Sequence, residues 1–247
     1  ELLGRVRTSP HERPPEWERL GVVPQEIALY PRLTARENLS IFGGLSGLSG
    51  DDLASRVADA LIWTGLEERA NDQAGGFSGG MKRRLNIACG VLHDPQVVLL
   101  DEPTVGVDPQ SRERIWTMLA DLHGRGRTLL LTTHQLDEAE RVCQRIVVID
   151  AGKTAAEGTM DELIRGLPPE KAAARALLTL DGAPPAELGL TVRPDGRVER
   201  PVESLEDDLP KLLRSLADAG LTVADLEVRR PDLQEVFLHL TGRTLRE

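Results

Sequence analysis

The stretch VVLLDEPTVGVDP, Val97 to Pro109, runs four apolar residues into two adjacent carboxylates, a proline and a glycine turn. Two valines and two leucines in a row read as a buried strand. Asp101 at its end can hold Mg2+ through the ion's water shell. Glu102, one residue on, can polarise an attacking water. Taken alone, the same pattern also describes an acidic strand end that serves as a helix cap.

Three more stretches carry comparable chemistry. In GGFSGGMKRRL, Ser78 and two glycines open a helix and offer a hydroxyl, free backbone N–H groups and a positive dipole end to an anion. Gly79 and Gly80 leave no Cβ in the way of an approaching phosphate, although an ordinary glycine-rich helix cap has the same composition. In TLLLTTH, His134 follows a second buried strand, where an imidazole can hydrogen-bond a terminal phosphate and help fix the attacking water; a histidine at a strand end can equally be structural. In GVVPQE, Gln25 ends an apolar stretch with an uncharged side chain able to reach a metal or a water, or to serve only as a turn residue.

The elements that must position these residues alternate. Thr34 and Glu37 in TARENLSIF have capping-box spacing. Leu53, Val57 and Leu61 recur at helical period, and Leu85, Ala88, Cys89 and Leu92 form the inner side of the helix that begins near Ser78. Asp108 caps a helix starting at Pro109, after which come a strand over Thr128 to Thr133, the helix QLDEAERVCQR and the strand IVVID. Strands alternating with helices predict an α/β fold with a mainly parallel sheet and ligands at its carboxyl edge. The texture changes at RGLPPEKAAAR. Residues 1–165 are therefore expected to form one domain, and 176–247, with RALLTL, LTVRPDGRVER, DDLPKLLRSLADAG and LTVADLEVRR, a small α+β domain.

Bulk composition narrows the function. Among 247 residues the net charge is −10, which argues against nucleic acid as the main partner. Aromatics are only 3%, so Leu, Val and Ala must fill the core. No apolar run approaches a membrane span, and the polar, proline-rich start does not read as a signal peptide. Cys89 and Cys143 have no paired spacing, which suits buried thiols in a reducing compartment.

The order Ser78, Asp101 and Glu102, Asp108, His134 is more specific than any one of these motifs; Asp101 follows Ser78 by 23 residues and His134 follows Glu102 by 32. It resembles the nucleotide-binding subunit of ABC transporters over essentially the whole chain. VVPQ is similar to that family's Q-loop, FSGG to its signature, VVLLDEP to its Walker B strand, VGVD to its D-loop and TTH to its switch histidine. SGGMKRRL, PTVGVDPQSR and the ending RRPDLQEVFLHLTGR resemble the multidrug and antibiotic exporter (ABC-2 type) branch. The resemblance implies a P-loop NTPase-like parallel sheet with a helical signature subdomain, ATP and Mg2+ as cofactors, and a head-to-tail dimer with a second ABC ATPase subunit. It implies a separate ABC-2 type transmembrane permease, and so a cytoplasmic subunit peripheral at the inner face of the cell membrane. Ser78, Gly79 and Gly80 would bind the γ-phosphate across the dimer. Asp101 would organise Mg2+ and Glu102 would activate water. Gln25 would sense the metal, His134 would position the terminal phosphate and Asp108 would link the two sites.

One expected motif is missing: no GxxxxGK[ST] occurs in the chain. GGFSGGMK has Met81 where the lysine belongs. AGKT, Ala151 to Thr154, follows IVVID and reads as a hairpin turn, with Val147 at the first glycine position. In the family the P-loop precedes the Q-loop by a few dozen residues, whereas 24 residues precede Gln25 here and the first is Glu1 rather than Met. The expectation is an N-terminally truncated ATPase that folds marginally and hydrolyses little ATP alone. The alternative is a degenerate, non-catalytic subunit that lends its signature in trans. A translation or repair ATPase fits less well, because the charge is acidic and neither a second cassette nor a long coiled coil is present.

Overall fold

A computed structural model describes residues 15–202 and 204–242. The polar, proline-rich start up to Pro14 and the last residue of RRPDLQEVFLHLTGR, Arg243, lie outside the described residues. The chain divides into two compact units, Glu1–His134 and Gln135–Glu247.

In the first unit the order is β1 (Leu20–Val23), α1 (Ala35–Leu45), α2 (Gly50–Thr64), α3 (Gly79–Val91), β2 (Val97–Asp101), α4 (Pro109–Gly124) and β3 (Thr128–Thr132). The three strands pair in parallel, β1-β2-β3, with Val23 beside Leu100 and Asp101 beside Thr132. Alternation splits the sheet into two faces. Val23, Val98 and Leu100 are buried against Ile87 and Val91 of α3 and Ile115, Met118, Leu119 and Leu122 of α4. On the opposite face Val22, Leu99 and Leu130 stand in register as an apolar row, with Val22 55% and Leu130 60% exposed.

Sequence signals account for the helices. Thr34 caps α1 in a full capping box with Glu37, and α2 stops at Gly65 in the left-handed conformation. The predicted inner side of α3 is buried: Leu85, Ala88, Cys89 and Leu92 pack with Leu39 of α1 and Val57 and Leu61 of α2. So α3 has two apolar faces, one in this helical core and one on the sheet. Its last turn lies against β1 through two glycines: a Cβ on Gly21 would sit 2.6 Å from the Gly90 carbonyl oxygen, and one on Gly90 would sit 2.8 Å from Val23.

The second unit contains α5 (Leu136–Val142), β4 (Ile146–Asp150), β5 (Lys153–Gly158), α6 (Met160–Arg165), α7 (Pro169–Ala172), β6 (Ala174–Leu180), β7 (Thr191–Val192), β8 (Val198–Val202), α8 (Asp208–Asp218), β9 (Val223–Arg229) and α9 (Leu233–Thr241). AGKT is a hairpin turn between β4 and β5, with Ala151 and Gly152 both at positive φ (48° and 75°). An antiparallel sheet β7-β8-β6-β9 buries Ala176, Leu178, Val198 and Val202 against Leu212 and Leu216 of α8, which is the α+β texture predicted for the C-terminal part. A separate core joins Ala139 of α5, Ile146 and Val148 of β4 and Leu163 of α6 to Leu233 and Val236 of α9. Packing thus divides the chain after His134, earlier than the change of texture at 165–176, because α9 returns to share a core with α5, β4 and α6.

Candidate active site

The carboxyl edge of the parallel sheet collects the predicted polar residues. Val23 of β1 leads to Pro24 and Gln25, Leu100 of β2 to Asp101 and Glu102, and Thr132 of β3 to Thr133 and His134. Parallel pairing puts all three strand ends on one side, so residues far apart in sequence become neighbours.

Glu102 is the most constrained of them. Its φ is 46°, a left-handed conformation that costs an ordinary side chain on the order of 1 kcal/mol. Its backbone N–H donates to the Thr132 carbonyl at 3.1 Å, which fixes the turn against β3. The Glu102 side chain is largely buried and its Oε1 lies 2.7 Å from Nδ1 of the exposed His134. Oε2 is buried and, among the described residues, has no hydrogen-bond partner. Beside it, the Thr132 hydroxyl donates to Oδ1 of Asp101. Sequence reasoning missed Thr132; its signal was a hydroxyl at the end of an apolar strand, and pairing with Asp101 gives it its use.

The second group lies at the start of α3. Ser78 is the N-cap, its Oγ accepting from the Met81 N–H at 3.2 Å. A Cβ on Gly79 would meet nothing within 4 Å, whereas one on Gly80 would fall 2.1 Å from Ser111 Oγ and 2.4 Å from Ser111 Cβ. Gly79 is open to a ligand; Gly80 is demanded by packing on α4. Asp108 caps α4 by accepting from the Ser111 N–H at 2.9 Å, and that bond holds its carboxyl below the usual range. Gly80 and Asp108 therefore meet through Ser111.

The structure also brings in Arg83 and Asn86, which sequence reasoning passed over. Arg83 is buried and donates to the carbonyls of Pro24 (3.0 Å) and Gln25 (2.6 Å). Burial pushes its guanidinium below the ordinary value, opposed by the nearby charge of Asp101. Asn86 accepts from the Ala28 N–H at 3.1 Å. The signal was periodic: Arg83 lies four residues before Ile87 and eight before Val91, on the sheet-facing side of α3.

Among the described residues no group of three or more His, Cys, Asp and Glu side chains could hold a metal by itself. The donor set at the edge fits Mg2+ in the way that ion is usually held. One carboxylate, Asp101, is oriented by a neighbouring hydroxyl, and it would hold the ion while substrate phosphates and water supplied the other ligands.

An α/β unit with a parallel sheet, a carboxylate pair at its carboxyl edge and a glycine-opened helix is the architecture of a nucleoside-triphosphate-handling domain. Comparison with known proteins makes the class specific. The family described as ABC transporter matches residues 3–105. The linearmycin resistance ATP-binding protein LnrL of Bacillus subtilis (strain 168) is 38% identical over 244 residues, covering 93% of this chain and 76% of that protein. The daunorubicin resistance ATP-binding protein DrrA3 of Streptomyces coeruleorubidus is 38% identical, covering 97% and 78%. The Nod factor export ATP-binding protein I of Rhizobium leguminosarum bv. viciae is 39% identical, covering 92% and 72%. Among solved structures, the ATP binding subunit of an ABC transporter superposes with a TM-score of 0.54 at 32% identity, covering 60% of this chain and 62% of that one. The ATP-binding cassette MJ0796, a dimer in a post-hydrolysis state bound to ADP and Pi, gives 0.50 at 30% identity, covering 57% and 62%. The chain belongs to the ABC transporter ATP-binding family, among relatives of drug-resistance and Nod factor export type.

Proposed function

We propose that this chain, which lacks the phosphate loop and by itself hydrolyses little ATP, belongs to the ATP-hydrolysing subunit of an exporter of drug- or antibiotic-like molecules. It works as a head-to-tail dimer with a second ABC ATPase subunit and on a separate ABC-2 type permease, at the cytoplasmic face of the membrane. Among the described residues no helix is long and apolar enough to cross a membrane, so the reading needs such a partner. In functional terms residues 1–165 are the ATPase part, from Q-loop to switch histidine, and 176–247 an accessory domain. That division follows motif content rather than packing.

The observation that carries the reading is the state of Glu102. One oxygen is held by His134 and the other is buried with no partner among the described residues, a step along the chain from Asp101. Such a carboxylate can accept a hydrogen bond from a water and take its proton as the water attacks. His134, fixed through Nδ1, would have its other ring nitrogen free to hydrogen-bond a terminal phosphate bound at this edge. Asp101 would hold Mg2+, with Gln25 from the neighbouring strand end as a further oxygen donor; the ion would supply charge neutralisation on the phosphates. Ser78, Gly79 and Gly80 bind the γ-phosphate of a nucleotide seated on the opposite subunit, and Asp108 connects the two sites.

A second reading, motivated by the lack of GxxxxGK[ST] in this sequence, is a non-catalytic subunit donating its signature to an intact partner. Reading the native gene in frame ahead of Glu1 separates the two. The activity itself is tested by expressing the native gene product with its permease and measuring ATP hydrolysis with and without Glu102→Gln. A loss of about 10²- to 10⁴-fold with nucleotide binding retained is expected. An unchanged rate would refute the role given to Glu102.

A further inference from the structure

Five polar side chains are buried among the described residues of the first unit: Asn38, Thr64, Arg83, Asn86 and Thr104. Three of them grip one segment. Arg83 donates to the Pro24 and Gln25 carbonyls, Asn86 accepts from the Ala28 N–H, and Asn38 of α1 accepts from the Tyr30 N–H at 2.8 Å and donates to the Tyr30 carbonyl at 3.1 Å. Burying a polar group costs free energy unless its bonds are made, and a buried cation costs more. A guanidinium buried on two successive main-chain carbonyls therefore requires an account beyond filling space.

We propose that Arg83 is a positioning residue, the clasp that fixes the backbone at Gln25 to the helix whose N-terminus is Ser78–Gly80. The inference rests on the reading of Gln25 and Ser78 given above and extends it. The Arg83 fork takes the carbonyls on either side of the Gln25 α-carbon, so it sets the direction in which the Gln25 side chain leaves the chain. Asn86, one turn further along α3, holds the same segment three residues on. Asn38 anchors its far end to the helical core. A displacement of the loop at Gln25 is thus carried into α3 as a unit, and one of α3 into the loop. The carboxylate of Asp101 lies close enough for its charge to bear on Arg83, so the clasp borders the metal-binding edge without being a ligand.

The test uses the full chain with no nucleotide or metal, so its outcome does not depend on whether the chain hydrolyses ATP. Amide hydrogen exchange is followed at Ala28 and Tyr30 and, as a reference for global opening, at β2. In Arg83→Gln, exchange at Ala28 and Tyr30 is expected to accelerate by about tenfold or more beyond any change in β2, as loss of charge-assisted bonds implies. Arg83→Lys, which keeps the charge and can reach one carbonyl, recovers part of that protection. Glu102→Gln, which removes the proposed catalytic carboxylate, leaves it unaltered. The proposal is overturned if Ala28 and Tyr30 exchange as in the wild type. Equal acceleration of loop and β2, or a lysine variant no better protected than glutamine, would likewise reduce Arg83 to a packing residue.

Discussion

Gly79 and Gly80 adjoin in sequence and differ in what surrounds them, which makes a sharp test. Alanine at Gly80 would place its Cβ 2.1 Å from Ser111 Oγ and 2.4 Å from Ser111 Cβ, where carbon atoms ordinarily rest about 3.5–4.0 Å apart. The start of α4 must therefore recede by about 1 Å or more, which pulls on the 2.9 Å bond between the Ser111 N–H and Asp108. Overpacking of this kind costs about 1–3 kcal/mol, and the helical gain of alanine over glycine returns at most about 1 kcal/mol, so Gly80→Ala is expected to destabilise by about 1–2 kcal/mol. Alanine at Gly79 meets nothing within 4 Å and should be neutral or slightly stabilising. All three tryptophans, Trp17, Trp63 and Trp116, lie in Glu1–His134, so their fluorescence during urea unfolding follows the unit that matters. With a urea slope of about 2 kcal/mol/M, the middle of the usual range, the Gly80→Ala midpoint should fall by roughly 0.5–1 M. Adding Ser111→Gly removes both offending atoms and should recover a large part of that loss. A Gly80→Ala midpoint at or above that of Gly79→Ala would refute the packing argument.

Other expectations follow from the same structure. Thr132→Val removes the hydroxyl that orients Asp101; in the native gene product it should raise the Mg2+ concentration needed for half-maximal ATP hydrolysis by about tenfold or more, and an unchanged requirement would show the hydroxyl to be incidental. Burial pushes the Cys89 thiol from 9.0 up to about 12. Its folded pKa lies above the unfolded one, so the contribution to stability is complete below pH 9 and is lost as pH rises toward 12; a Cys89→Ala chain should lose less stability over that interval, measured by urea midpoints. Leu130→Lys on the open face of β3 should reduce light scattering by concentrated chain while changing the unfolding free energy by no more than about 0.5 kcal/mol, because it interrupts the apolar row Val22–Leu99–Leu130 without entering the core.

The elements around the candidate site were legible because their signals are local. The capping box at Thr34, the Ser78 and Asp108 caps and the apolar run ending at Asp101 each need only a few neighbouring residues, and each falls where the sequence places it. What was not legible depends on register or on distant packing. Thr132 gains its role only because β3 pairs with β2 at Asp101, and that register is set by the whole sheet. Arg83 sits in a basic run, MKRR, that reads as solvated surface until the 3.6-residue period is followed through to Ile87 and Val91. Gly80 was read as room for a phosphate, and its contact with Ser111 depends on how α3 meets α4. The early division after His134 was hidden for a similar reason: α9, in the last stretch of sequence, packs against elements some 70 to 100 residues earlier.

Helix α3 carries most of these contacts. Its first turn carries Ser78 and Gly79 outward and fits Gly80 against the cap of α4. One turn in, Arg83 and Asn86 hold the loop at Gln25. Beyond that, Ile87 and Val91 face the sheet that ends in Asp101 and Glu102, while Leu85, Cys89 and Leu92 face the helical core. A close-packed helix transmits a shift at one of these contacts to the others, because its neighbours have no free volume in which to absorb it. If Ser78 meets a phosphate and Gln25 the metal, as proposed, the two sites share one body: a ligand that orders Ser78 would bias Gln25, and a load on the segment 24–30 would reach Ser78 in return.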